Sequence, residues 1–357
     1  MASPPGLNPD PDARVPIEPT LLQGRYILQE TIGRGGMATV YRALDSVLDR
    51  SVAVKLLHPS VCAEPRFVEQ FLTMERHVAR LFHPNLVRIF DAGTADQGCF
   101  AVMEFVAGGS LRDLLNRGAP LSVHRAISIV SQVADALELL HRERIVHGDI
   151  KPDNVLLDEH GNAKLVDFGI AHLATVSGGL RTDSLGGSIP YLAPEQLQDG
   201  RADSRSDVYS LGLVAYELLV GRRAFDGENW VAVAAQRLAR DPEPLSAVRP
   251  DLPPILEAVL GRALARDPGH RFRSAEEFRQ ALLRVERQAS VVRAAPNVPT
   301  VQRSARPSFF KRPKDAPRNG DYLRRLIRGE HPASVPILLT LVALDLALIA
   351  IIRALVG

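Results

Sequence analysis

The sequence is poor in the residues that staple or cage small folds. Only two cysteines, Cys62 and Cys99, occur in 357 residues, and neither has a partner at metal-ligand spacing. That argues against a disulfide framework and suits a reducing compartment. The ten histidines form no zinc pattern. Charge of one sign is not in excess: 43 Lys and Arg against 41 Asp and Glu leave +2. No repeat suggests a solenoid. Residues 1–24 hold many prolines and no apolar stretch, so neither a signal peptide nor a strand is expected there. The hydrophobic share of 46% is enough for a sizeable core plus extensions.

What the chain does have is a set of short motifs in a specific order. His147-Gly148-Asp149-Ile150-Lys151-Pro152-Asp153-Asn154 is followed by Asp167-Phe168-Gly169. A lone Asp-Phe-Gly recurs by chance, but the two together at this spacing are specific. Upstream lie a glycine-rich run, Ile32-Gly33-Arg34-Gly35-Gly36-Met37-Ala38-Thr39-Val40-Tyr41, and an alternating strand, Val52-Ala53-Val54-Lys55. Glycines let strands approach a phosphate and offer it backbone N–H groups. The apolar run Val102-Met103-Glu104-Phe105-Val106 follows. Downstream come Gly187-Ser188-Ile189-Pro190-Tyr191, Ala193-Pro194-Glu195, Ser206-Asp207-Val208-Tyr209-Ser210-Leu211-Gly212, and Asp267-Pro268 through Arg271-Phe272.

From about Tyr26 to Val285 this series resembles the eukaryotic-like (Hanks-type) bacterial Ser/Thr protein kinases. The resemblance implies an α+β, two-lobed fold: a small β-rich lobe with one regulatory helix, and a larger helical lobe. It implies ATP and Mg²⁺ (or Mn²⁺) as cofactors. Asp149 would accept the proton of a substrate hydroxyl, Lys151 would steady the γ-phosphate, and Lys55 would hold the α- and β-phosphates. Asn154 and Asp167 would hold the metals. Ile32, Gly33, Gly35, Gly36, Val40, Ala53, Met103, Glu104, Val106 and Leu156 would surround the nucleotide. Lys151 points to the Ser/Thr branch, and Ser188 would tie Asp149 to Lys151. Asp207 would support the catalytic loop, and Arg271 would pair with Glu195 in a buried contact that specifies the fold. Thr175, Ser177, Thr182 and Ser184 are available as phosphosites.

Two positions depart from the family pattern. An ungapped count back from His83-Pro84-Asn85 puts Met74 where relatives carry the glutamate that pairs with the strand lysine, and Glu75 is next. One helical step turns a side chain by about 100°. Either a local bulge brings Glu75 round, or Lys55 lacks its usual partner. Gly148 stands where many relatives have arginine, which would make activity less dependent on a phosphate in the activation loop.

Patterning places short strands and one helix, around Glu64 to Phe82, between Tyr26 and Phe105, with mainly helix beyond. Leu121 to Glu143 and Ser206 to Val220 are the clearest helices. The expected organisation is a disordered Pro-rich N-terminus (1–25), a catalytic domain (26–285, lobes 26–105 and 106–285), a basic linker (286–334) and a transmembrane helix (335–356). From residue 286 to 331 there are eleven Lys or Arg against four Asp or Glu, a surplus of seven. No stacking aromatic pattern accompanies it, so no nucleic acid is expected. Residues 335–356 hold fourteen Leu, Ile and Val. At about −0.3 to −0.6 kcal/mol each, these outweigh the roughly 2.5–3.5 kcal/mol cost of Asp345. The expectation is a single-pass anchor in the cell membrane, the kinase domain in the cytoplasm, and a homodimer favoured by Asp345. Protein substrates with Ser or Thr acceptors are the expected partners. The alternative is a catalytically weak pseudokinase acting as a nucleotide-binding membrane scaffold.

Overall fold

The computed structural model describes residues 15–118, 120–168 and 188–294. Six strands form one antiparallel sheet: β1 Val15–Leu22, β2 Tyr26–Arg34, β3 Ala38–Asp45, β4 Arg50–Leu57, β5 Ile89–Ala95 and β6 Gly98–Glu104. Their spatial order is β1-β2-β3-β4-β6-β5. Period-two alternation divides the central strands between two layers. Val52 and Val54 of β4 join Leu22, Tyr26, Leu28, Ala43, Phe100 and Val102 in an outer cluster. Ala53 and Leu57 face the main core, so Lys55, two residues from each, points the same way. On that side lie the short helix α1 (Pro59–Cys62) and α2 (Pro65–Val78).

β1 lies within the stretch expected to be disordered. Leu22 pairs with Tyr26 and Leu21 with Ile27, across a turn in which Gln23 and Gly24 both have positive φ (48° and 66°). That is the turn whose twist matches a hairpin. Proline is tolerated because β1 is an edge strand, and Leu22 is fully buried. The disorder expected for 15–22 is thus corrected; residues 1–14 lie outside the described residues.

The second lobe contains α3 Leu111–Arg117, α4 Val123–Arg142, the strand pair β7 Val155–Leu157 and β8 Ala163–Leu165, then α5 Pro194–Asp199 and α6 Ser204–Val220. It continues with α7 Trp230–Ala239, α8 Leu245–Val248, α9 Pro254–Ala263 and α10 Ala275–Ala294. Every residue of α6 from Ser206 to Leu219 is buried. A helix covered on all sides is a core helix, and α4, α9 and α10 pack around it. Asp203 caps it, accepting from the N–H groups of Arg205 and Ser206 at 2.8 and 3.0 Å.

α10 continues through Ala294, which corrects the expected linker start at 286. Glu286 pairs with His124 at the start of α4, holding this turn against the lobe. Among the described residues no helix is long and apolar enough to cross a membrane. The expected linker from 295 and the apolar segment 335–356 lie outside the described residues.

Candidate active site

The segment 147–154 is held from below by one buried carboxylate. Asp207 Oδ1 accepts from the Gly148 N–H (2.8 Å), and Oδ2 accepts from the His147 N–H (2.9 Å). His141 Nε2 also reaches Oδ2 at 2.8 Å. Gly148 sits at φ 74°, a conformation glycine adopts without a Cβ penalty. Its carbonyl accepts from Gln196 Nε2 at 2.9 Å. The His147 ring lies 2.9 Å from the Val166 carbonyl and edge-on to Phe168. This contact joins the loop to the Asp167 segment and leaves His147 a satisfied core histidine.

On this support the two oxygens of Asp149 differ. Oδ2 accepts from Lys151 Nζ (2.8 Å) and Asn154 Nδ2 (2.9 Å). Oδ1 is buried and has no partner among the described residues. One oxygen is therefore oriented while the other remains free to accept a proton. Lys151 Nζ also donates to Ser188 Oγ at 2.7 Å, so Ser188 ties the Asp149–Lys151 pair to the segment before Ala193. Asn154 spends its amide nitrogen on Asp149, leaving its carbonyl oxygen as a hard donor. Together with the Asp167 carboxylate this is an oxygen set that suits Mg²⁺ or Mn²⁺.

Asp167 has φ 65°, a left-handed conformation rare outside glycine that marks functional positions. Lys55 Nζ donates to its Oδ1 at 2.7 Å. Burial alone would raise the Asp167 titration, but the Lys55 cation overrides it, and the carboxyl stays below its ordinary value. Glu75 has no ion pair with Lys55. Burial pushes its carboxyl up to about 7, against the pull of Lys55 and with a push from Asp167. Its Oε2 has no hydrogen-bond partner among the described residues.

The register of α2 decides between the two readings of Met74 and Glu75. Its buried residues are Phe67, Phe71, Glu75 and Val78. Their spacings of four, four and three make one inward stripe. Glu75 therefore faces Lys55 within a regular helix, without a bulge. Met74 packs at the edge of the core.

Several of the residues expected around the nucleotide border the main core. Ile32, Val40, Val106 and Leu156 pack on the cluster that contains Ala53 and Met103. Gly33 pairs with Val40 across the β2–β3 hairpin, and Gly35 and Gly36 are exposed at its tip. Ala53 and Met103 are paired in adjacent strands. The Glu104 N–H donates to the Arg88 carbonyl at 2.9 Å, and its carboxylate pairs with Lys164 at 2.9 Å. A cavity of about 800 Å³ in the helical lobe, lined by Tyr216, Leu245 and Leu264 among others, shares none of these residues. The assignment thus rests on side-chain chemistry, not on volume.

Arg271 donates to both oxygens of Glu195 at 2.7 Å and to the carbonyls of Ala265, Arg205 and Arg266. Burial would raise the Glu195 carboxyl, but Arg271 and Ser206 hold it below its ordinary value. Thr175, Ser177, Thr182 and Ser184 lie outside the described residues.

Three contributors went unread in the sequence. Glu217 accepts from Arg112 (2.7 Å) and Tyr191 (2.5 Å), fixing Tyr191 beneath the segment that carries Ser188. Gln196 holds the Gly148 carbonyl, and Arg237 holds the Ile189 carbonyl within that segment. The one available signal was an arginine at the same helical face as Val233, four residues earlier.

Residues 26–282 match the family model described as "Protein kinase domain". The chain is 40% identical over 257 residues to the serine/threonine-protein kinase PrkC of Bacillus subtilis, covering 72% of this chain and 40% of that protein. It is 40% identical over 262 residues to PknL of Mycobacterium tuberculosis, covering 73% and 66%. It therefore spans less than two thirds of the length of these curated relatives. Among solved structures, the PknI kinase domain of Mycobacterium tuberculosis is similar with TM-score 0.61 and 31% identity, covering 74% of this chain and 98% of that one. Rad53 1–466 in complex with AMP-PNP is similar with TM-score 0.59 and 25% identity, covering 71% and 63%.

Proposed function

Since this chain belongs to the protein kinase domain family, among its eukaryotic-like bacterial Ser/Thr members, we propose that it transfers the ATP γ-phosphate to Ser and Thr hydroxyls of proteins. The observation that carries this reading is Asp149, with one oxygen held by Lys151 and Asn154 and the other buried and free. Asp149 orients the acceptor hydroxyl and takes its proton at Oδ1. Lys151, already fixed between Asp149 and Ser188, presents its ammonium to the phosphoryl group in transfer. Lys55 and the glycine-rich hairpin hold the remaining phosphates. Asn154 and Asp167 would hold Mg²⁺, which when bound would supply neutralisation of phosphate charge. Catalysis of this type is mostly positioning and electrostatic stabilisation. The relative bound to AMP-PNP supports an adenine nucleotide as the ligand.

The pseudokinase reading is not favoured. It rests on Met74 in place of the helix glutamate together with Ala38 in place of the third glycine, and Glu75 occupies the inward stripe of α2. Transfer of labelled phosphate to a generic Ser/Thr acceptor, measured with the full chain and with Asp149→Asn, tests the activity. Label in the parent and none in the variant, with nucleotide binding retained in both, is expected. Equal turnover by Asp149→Asn would remove the assignment.

The apolar run 335–356, behind a linker rich in Lys and Arg, supports a membrane anchor with the catalytic domain on the cytoplasmic side. Asp345 within it supports self-association. Extraction of the full chain from cell membranes by carbonate alone, without detergent, would contradict the anchor.

A further inference from the structure

The segment 188–192, where the family resemblance implies that the acceptor peptide docks, has little hydrogen bonding of its own among the described residues. Pro190 has no N–H, and among the described residues the turn closes through Tyr191 N–H to the Ser188 carbonyl (2.9 Å) and a long contact from Leu192 to Ile189 (3.4 Å). The carbonyls of Ile189, Pro190 and Leu192 all meet one side chain from α7. Arg237 donates to them at 2.7, 2.6 and 2.6 Å. It is completely buried, and its guanidinium lies 5.3 Å from the Phe225 ring centre. Among the described residues no carboxylate pairs with it, so a cation has been buried against neutral carbonyl dipoles. Burial lowers its titration to about 10. An unpaired buried charge is a poor way to gain stability, so its value lies in what it orients. Donors on one planar group fix the directions of three carbonyls, those of Ile189, Pro190 and Leu192, at once.

We propose that Arg237 is the positioning residue of the peptide-docking segment, holding residues 189–192 so that Ser188 stays on Lys151 and the acceptor peptide meets a preformed floor. The proposal rests on the kinase reading for its substrate. The path is short: Arg237 fixes the Ile189 carbonyl, one peptide unit from Ser188, and Ser188 Oγ accepts from the lysine that also holds Asp149. α7 therefore communicates with the transfer site through backbone orientation alone. Its exposed face, with Trp230 and Val231 outward, shares one rigid helix with the residue that sets the floor.

The test uses the full chain with Arg237→Met, which keeps the apolar stem and removes both charge and donors, and Arg237→Lys, which restores the charge and some donors. Hydrogen–deuterium exchange at residues 189–193 and steady-state constants for acceptor and for ATP are measured together. Loss of three hydrogen bonds should raise exchange in this segment by tenfold or more, on the order expected when even one net bond is lost. Exchange in α6 should not change. The KM for the acceptor should rise by about tenfold, that for ATP should stay put, and Arg237→Lys should recover part of both effects. Unchanged exchange at 189–193 in Arg237→Met would overturn the proposal. So would a rise in exchange throughout the lobe with equal losses for acceptor and ATP, because that is a purely structural role. Exchange is read whether or not phosphate is transferred, so a parent without kinase activity would defeat the functional reading separately.

Discussion

Replacing Glu75 with glutamine should make the fold more stable and the enzyme worse. The carboxyl titrates at about 7 in the folded chain, chiefly because burial disfavours its charge, and at about 4.5 in an exposed setting. Between those values the folded chain keeps a proton that the unfolded chain has released. The fold is therefore unpenalised below the lower value and progressively loses stability as pH rises through the upper one. One pH unit of displacement is worth about 1.4 kcal/mol, so the full penalty at pH 8 is about 3 kcal/mol. Lys55 and Asp167, the charged groups facing Glu75, are both included in that balance. Glu75→Gln keeps the shape and carries no charge at any pH. Urea unfolding of parent and variant at pH 5 and pH 8, in chelator and without nucleotide, measures the difference. The variant should gain about 3 kcal/mol at pH 8 and little at pH 5. A difference that is the same at both pH values would refute the reasoning. Phosphate transfer should meanwhile fall, because Lys55 loses the carboxylate that faces it when Asp167 is engaged elsewhere; such trade-offs are common at strained sites.

Other outcomes follow from the same contacts. Glu195→Gln leaves Arg271 buried without its anion, and Arg271→Met leaves Glu195 without its cation. Each should cost about 3–5 kcal/mol, while the double variant should cost less than the sum; additive denaturant midpoints would contradict a coupled pair. Asp207→Asn presents an NH₂ to backbone donors that need an acceptor. It should cost about 1–3 kcal/mol and lower kcat with little change in nucleotide affinity, and an unchanged kcat would show that Asp207 does not position Asp149. Ser188→Ala removes one bond to Lys151 and should slow transfer by about tenfold, whereas Ser188→Thr should retain it; equal rates for both variants would show that the hydroxyl does not matter.

The chemistry proposed for the site was legible in the chain. The motifs from His147 to Asn154 and at Asp167 carry the family resemblance, and with it the proposed proton acceptor and oxygen donors, because residues on one tight loop are brought together by local backbone geometry. Strand alternation likewise placed Lys55 on the face of Ala53 and Leu57. The stripe Phe67, Phe71, Glu75, Val78 was also written in the chain, but an ungapped count from His83 obscured it in favour of Met74. Only the tertiary structure showed which face of α2 turns inward, that residues 15–22 add an edge strand, and that α10 runs past 285. It alone brought Arg237 to three carbonyls more than forty residues away. The physical reason is range. Turn and loop chemistry acts over a few residues and can be read directly. Helix orientation, edge pairing and buried cations are settled by burial summed over surfaces from distant parts of the chain, and no local pattern contains that sum.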